Sequence, residues 1–136
     1  MELSRIMAID YGEKRIGIAL SDLLQMIAQP YLVLANNRDI WENLRQLINE
    51  QKVGKAVIGL PLNFAGEDTI KTGEIRQFAA EFTQQLSLPW EFFDESFTSE
   101  DANAALEQMG YSIRDSRKVI DKVAAALILQ NYLESR

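Results

Sequence analysis

The order of the predicted elements constrains the fold of this chain most strongly: three strand-like segments precede the first helix, and helices then alternate with strands. Residues Arg5–Tyr11 carry apolar side chains at odd and even positions, a pattern typical of a central strand covered on both faces. Arg15–Ser21 follows a short turn at Gly12, where a positive φ is permitted, so the first two strands are predicted to form a β-hairpin. The pattern predicts an α/β fold with a mixed sheet and helices on its faces.

The remaining segments complete this layout in one predicted domain spanning residues 1–136. No repeat and no Pro/Gly/Ser-rich linker divides the chain. Gly54 is expected to follow the end of the first helix and Ser116 to cap the last one, and residues 60–71 are predicted to form a loop. The other predicted strands are Gln29–Ala35, Lys55–Gly59 and Trp90–Phe93, and the predicted helices are Asp39–Gln51, Thr72–Leu86, Thr98–Met109 and Arg117–Leu133.

The composition excludes several kinds of chemistry. The chain contains no Cys and no His, which removes disulfides, iron–sulfur clusters, Cys/His zinc sites and the Ser-His-Asp triad. Catalysis would have to use carboxylates, hydroxyls, Lys, Arg or a hard metal ion. No apolar run approaches the ~20 residues of a membrane-spanning helix, and the first residues lack the layout of a secretory signal. We therefore expect a cytoplasmic protein that does not bind membranes.

Charge is distributed unevenly along the chain. The net charge is −6, which argues against coating of nucleic acid by bulk charge. Residues 91–107 contain acids and no base, whereas residues 111–122 carry an excess of bases. An acidic cluster beside a basic stretch suits a metal-dependent site that acts on a polyanion, although two solvated helix faces would give the same pattern.

Two carboxylates stand at positions where burial is expected. Asp10 lies in the predicted central strand, where Asp is depleted and rarely buried without a partner. The alternative is that Asp10 caps the turn through Gly12. Asp121 shares a helical face with apolar residues such as Ala125, beyond the first turn counted from Ser116, so the helix dipole alone does not explain it.

A third acidic group, Asp94-Glu95, directly follows the fifth predicted strand. Alternation leaves open which of the two carboxylates faces a site, and a solvated strand end is the plain alternative. Taken together, carboxylates in a strand, at a strand end and inside a helix fit a site for a hard cation.

Four segments of the chain resemble one known family. They are AIDYGEKRIGIALSD at 8–22, VIGLPLNFAG at 57–66, DESFTS at 94–99 and RKVIDKVAAALILQNYLE at 117–134. In order and spacing they are similar to the YqgF-type pre-16S rRNA nucleases, also called Holliday-junction resolvase-like proteins. The resemblance implies an RNase H-like fold, whose mixed five-stranded sheet begins with an antiparallel three-strand meander. By motif it also implies a divalent-metal site formed by Asp10, Glu95 and Asp121.

The same resemblance implies a nuclease that uses Mg²⁺ or Mn²⁺ to activate water for phosphodiester hydrolysis. The expected substrate is structured RNA in the 5′-end maturation of pre-16S rRNA; a DNA-junction resolvase and a non-catalytic nucleic-acid or ribosome-assembly binding module are the alternatives. Where the family pattern reads DER, this chain has Ser96 in the third position. The oligomeric state is not readable from the sequence. The candidate phosphate contacts, each equally explicable as a surface base, are Lys14, Arg15, Arg117, Lys118 and Lys122.

Overall fold

Five strands form one mixed sheet in the computed structural model of this chain, which describes residues 3–61, 69–94, 108 and 113–136. Their order across the sheet is β3-β2-β1-β4-β5. The first three strands form an antiparallel meander, and β4 runs parallel to both β1 and β5. This confirms the predicted mixed sheet. The strands are β1 Arg5–Asp10, β2 Arg15–Ser21, β3 Ala28–Ala35, β4 Val53–Leu60 and β5 Trp90–Asp94.

Helices cover both faces of the sheet, as predicted. Helices α1 (Ile40–Glu50) and α2 (Ile70–Gln85) bury Leu44 and Phe82 against one face. Helix α3 (Ile113–Ser135), whose side chains are described from residue 122 onward, buries a stripe around Ile128 against the other face. In β1, side chains alternate between these two cores, which explains its apolar residues at every position. Among the described residues, no helix combines the length and the apolar character needed to cross a membrane.

Gly54 follows the end of the first helix, as predicted, but it does not cap that helix. Helix α1 ends with Gln51 as its C-cap, and Lys52 adopts a positive φ of 55° directly after it. Gly54 lies within β4, where an added Cβ would come within 2.5 Å of the Ser4 side chain. The glycine is therefore needed for close approach between chain segments and not for a helix cap.

Two helices begin earlier than predicted. Helix α2 starts at Ile70 because Thr69 and Thr72 form a reciprocal capping box, each side chain bonding the other's backbone N–H. Helix α3 already includes residue 113, so Ser116 lies inside it and is not its N-cap. The predicted helix Thr98–Met109 lies outside the described residues except for Gln108, which is helical and exposed.

Candidate active site

Asp10 is the last residue of β1, the central strand of the sheet. It is partly buried, and alternation along β1 places it on the face of Ile6 and Ala8, which belong to the core beneath α3. Because β1, β4 and β5 are parallel, their carboxyl ends share one edge of the sheet. We refer to it as the carboxyl edge; in open α/β sheets such edges carry the functional groups.

The chain beyond Asp10 turns through a close backbone approach. A Cβ added to Gly12 would collide with the carbonyl oxygen of Arg15, although Gly12 does not adopt a positive φ. The sequence predicted that Gly12 is needed for a positive φ, and this is wrong. Gly12 is needed because a side chain at this position would have no room. Asn36 closes the turn, since its Nδ2 donates to the Gly12 carbonyl oxygen over 2.8 Å and its backbone N–H donates to the Lys14 carbonyl oxygen.

The carboxyl-terminal half of α3 is anchored at the opposite edge of the sheet. Lys55 Nζ, at the start of β4, donates to the Tyr132 hydroxyl over 2.7 Å and pairs with Glu91 over 2.6 Å. These contacts raise the pKa of the Lys55 ammonium. The bond to Glu91 has the largest effect and the bond to Tyr132 the next largest. Ala28 N–H donates to the Gln130 side chain at this same edge. Helix α3 therefore begins near the carboxyl edge and ends far from it.

The direction of α3 determines how far along the strands residue 121 lies. Asp121 stands eleven residues before Tyr132, or about 16 Å along the helix axis. Lys55 pairs in register with Ile6, and Asp10 lies four residues further, or about 13 Å along the strand. Both lengths run from Lys55 toward the carboxyl edge, so residue 121 lies in the part of α3 nearer to that edge. Asp121 also lies two helical turns inside α3, so the dipole explanation is weaker than the sequence suggested.

Strand β5 also ends at the carboxyl edge, and its last residue is Asp94. Asp94 is exposed and has the parity of Trp90 and Phe92, which pack on the α1/α2 side. Phe93 has the opposite parity and meets the Tyr132 ring under α3. Asp94 thus lies on the face opposite Asp10. Glu95 lies outside the described residues.

The candidate phosphate-binding residues fall into two groups. Lys14 and Arg15 are exposed at the start of β2, which is adjacent to the end of β1 because Asp10 pairs with Gly17. Lys122 is half-buried on α3. Arg117 and Lys118 lie in the described α3 backbone, but their side chains are outside the described part. Among the side chains that the structure describes, no three Asp, Glu, His or Cys residues lie close enough to hold a metal ion.

Aromatic residues that the sequence analysis did not single out meet beside the carboxyl edge. The ring centroids of Tyr11 and Phe78 are 4.9 Å apart, and those of Trp41 and Phe78 are 5.1 Å apart with nearly parallel planes. They border a groove of about 350 Å³ between the β1 turn and helices α1 and α2. The only sequence signal was Trp41 near the start of the first predicted helix.

A comparison with protein families decides the relationship that these features suggest. The model of the RuvX family, described as Holliday junction resolvase, matches residues 4–135. The chain belongs to the RuvX family. Relatives named "Putative pre-16S rRNA nuclease" come from Koribacter versatilis and Maridesulfovibrio salexigens, each 40% identical to this chain. The alignments cover 97% of this chain and 88% of the first relative, and 95% of this chain and 97% of the second.

Solved structures show the same fold at low sequence identity. RuvC from T. thermophilus, in complex with a Holliday junction substrate, is 11% identical with a TM-score of 0.56, covering 98% of this chain and 95% of RuvC. The fowlpox virus resolvase in complex with Holliday junction DNA has a TM-score of 0.58 at 11% identity, covering 96% and 97% of the two chains. The fold of this RuvX-family chain is RNase H-like, and family membership makes it a nuclease, a hydrolase that acts on nucleic acid.

Proposed function

We propose that this RuvX-family nuclease hydrolyses phosphodiester bonds of structured RNA in the 5′-end maturation of pre-16S rRNA, in the cytoplasm, with Asp10, Glu95 and Asp121 as its catalytic carboxylates. The observation that carries the proposal is the position of Asp10 at the carboxyl edge, on the face beneath α3. The pre-16S substrate is favoured by the names of the relatives that align over nearly the whole chain.

The directions of β5 and α3 support the other two carboxylates. Asp94 lies on the face opposite Asp10, so its carboxylate is turned away from the face that α3 covers. This favours Glu95 over Asp94. Residue 121 lies in the part of α3 nearer to the carboxyl edge, in helical register with Ala125 and Ile128, which are buried against the sheet.

The donor chemistry of the chain fits Mg²⁺ or Mn²⁺. With no His or Cys, every strong ligand is an oxygen, as hard divalent cations require. Asp10, Glu95 and Asp121 are the residues that would hold the metal. When bound there, a divalent cation lowers the pKa of an attacking water and stabilises the charge on the departing oxygen.

Bases beside the carboxyl edge would orient the substrate backbone. Lys14 and Arg15 are exposed next to the end of β1, and Lys122 follows Asp121 directly. Charge-assisted bonds to phosphates would position the RNA without reading its sequence. Changing both Lys118 and Lys122 to Ala should weaken RNA binding and reduce the salt dependence of log K by roughly one to two units of slope.

The decisive test is cleavage of a precursor 16S rRNA transcript and of a four-way DNA junction, each with Mn²⁺ or with chelator. We expect metal-dependent cleavage of the RNA, its loss in Asp10→Asn, and RNA affinity within a few fold of wild type. Asp22→Asn is the matched control, because Asp22 accepts from the Met26 and Ile27 N–H groups far from the carboxyl edge. It should cleave like wild type.

Two other outcomes would identify the alternative functions. Preferential cleavage of the junction would make the chain a DNA resolvase, like the solved neighbours that hold junction DNA. RNA binding without cleavage, unchanged in Asp10→Asn, would indicate a non-catalytic binding module.

A further inference from the structure

The groove bordered by Tyr11, Trp41 and Phe78 has the composition of a site for an unpaired nucleobase. Tyr11 and Trp41 are only partly buried and offer aromatic surface to a ligand, whereas Phe78 is 6% exposed and supports the Trp41 ring from below. Single-stranded nucleic acids are commonly held by stacking of bases on such side chains. The volume of about 350 Å³ is within the ~300–1,000 Å³ typical of small-ligand sites.

Amide side chains supply the polar part of the groove. Asn36 is fixed by its Nδ2 bond to the Gly12 carbonyl oxygen, and its Oδ1 is an acceptor for N–H groups of a base. Gln77 lines the groove from α2 and is exposed. Amides of this kind match the mixed donors and acceptors along the edge of a base.

The charges around the groove argue against a phosphate as its occupant. Glu74 and Glu81 line it from α2 and Arg38 lines it from the β3–α1 connection, so carboxylates outnumber bases. A phosphate would be repelled there, whereas an uncharged ring would not. Lys14 and Arg15, which suit phosphates, are exposed beside the turn that the groove adjoins.

The groove adjoins the turn that follows Asp10, because Tyr11 is one of the residues that line it. Tyr11 follows Asp10 directly, and alternation sends the two side chains to opposite faces of the sheet at the same edge. A strand whose phosphate lies at Asp10 can therefore pass over the carboxyl edge and place a neighbouring base in the groove.

We propose that this groove binds one unpaired base of the RNA substrate beside the scissile phosphate, with Trp41 stacking on it and Asn36 and Gln77 contacting its edge. This rests on the proposed function, and it adds that the enzyme requires a single-stranded nucleotide next to its cleavage site. Trp41 is then a specificity residue and not a catalytic one.

Fluorescence tests the site without depending on cleavage. Trp90→Phe leaves Trp41 as the only tryptophan. In this background, with Asp10→Asn to prevent cleavage, a short single-stranded RNA should quench Trp41 emission, and a duplex of the same sequence should not. Unchanged emission at saturating RNA would overturn the proposal, even if the wild-type enzyme cleaves RNA. Quenching without any cleavage by wild type would instead reject the proposed function and keep the base site.

An abasic scan combined with Trp41→Leu tests the contact itself. Removing the base at one position near the cleavage site should lower kcat/KM about tenfold, and Trp41→Leu should give a similar loss on intact RNA. On the abasic RNA, Trp41→Leu should add little, because the stacked pair is already absent. Independent, multiplying effects at every position would contradict the proposal. If Trp41→Leu does not fold, Trp41→Phe, which keeps a smaller ring, takes its place with a smaller expected loss.

The two glutamines of α2 provide a matched pair for the amide contact. Gln77 lines the groove, whereas Gln84 lies two turns further along the same helix, is exposed and does not line it. Gln77→Ala should lower kcat/KM several-fold on single-stranded RNA, and Gln84→Ala should leave it unchanged. Equal effects would contradict a base contact at Gln77. Normal cleavage of single-stranded RNA by Trp41→Leu would contradict the proposal.

Discussion

Substitution of Gly12 by Ala tests whether close backbone approach sets the position of Asp10. The new Cβ would collide with the carbonyl oxygen of Arg15, and this backbone atom cannot rotate away as a side chain can. Gly12 does not adopt a positive φ, so the strain comes from space alone. Overpacking of this kind typically costs about 1–3 kcal/mol. For a domain of this size, that corresponds to a fall in melting temperature of roughly 4–12 °C.

A backbone shift at Gly12 should also reduce activity. Asp10 lies two residues before Gly12, and displacement of a catalytic group by ~1 Å can cost about a hundredfold in rate. We expect kcat to fall about tenfold to a hundredfold, measured well below the melting temperature, with near-native circular dichroism.

Two other glycines serve as controls for this experiment. Gly73→Ala in α2 meets nothing within 4 Å, so it should stabilise the protein by up to ~1 kcal/mol through helix propensity and leave activity unchanged. Gly54→Ala meets the Ser4 Oγ at 2.5 Å, which can rotate away, and the Ser4 Cβ at 2.8 Å, which cannot, so it should also lower the melting temperature. Because Gly54 lies near the start of β4, far from the carboxyl edge, kcat should stay unchanged. If Gly12→Ala matches wild type in both melting temperature and kcat, the approach to Arg15 does not hold the site.

Three further predictions concern other parts of the molecule. Phe82 on α2 is fully buried against the sheet, so Phe82→Ala should lower the free energy of unfolding by about 3–5 kcal/mol in urea titrations; a loss below ~1 kcal/mol would contradict its place in the core. The pKa of Lys55 is raised above 10.5, so its ion pair stabilises the fold below that pH and loses its effect as the pH rises through the folded value; with a third of the side chain exposed, the loss should stay below ~1 kcal/mol and vanish in Lys55→Met. Ser96→Arg, which restores the family pattern, should raise kcat/KM about tenfold at limiting RNA through a forked phosphate contact, and Ser96→Lys should raise it less; an unchanged value would mean that position 96 does not meet the substrate.

The sheet was predictable because its strands carry dense local signals. The apolar run in β1 and the hairpin to β2 are encoded within a few residues, and both strands form where the sequence places them. Helix ends were less predictable, because each depends on the conformation or the capping hydrogen bonds of one or two residues. Lys52, a residue without turn preference, takes the left-handed conformation after α1, and the box at Thr69 starts α2 before the apolar face begins.

The candidate site was predictable in its residue types but not in its surroundings. An Asp at the end of a central strand stands out in a sequence because burial of a carboxylate is costly. The choice between Asp94 and Glu95 depends on which face of β5 packs on α3, and that is a property of the folded sheet. The groove at Tyr11, Trp41 and Phe78 is lined by three segments that are distant in the chain, so no local sequence pattern predicts it.

Binding of Mn²⁺ to four proteins tests the central claim most directly: wild type, Asp10→Asn, Asp121→Asn and the double variant, compared by isothermal titration calorimetry. If both carboxylates hold the same metal, each single change should weaken binding by at least about tenfold, and the double change should add little to either. Wild-type affinity in both single variants, or fully additive losses, would contradict a shared metal site between the end of β1 and helix α3.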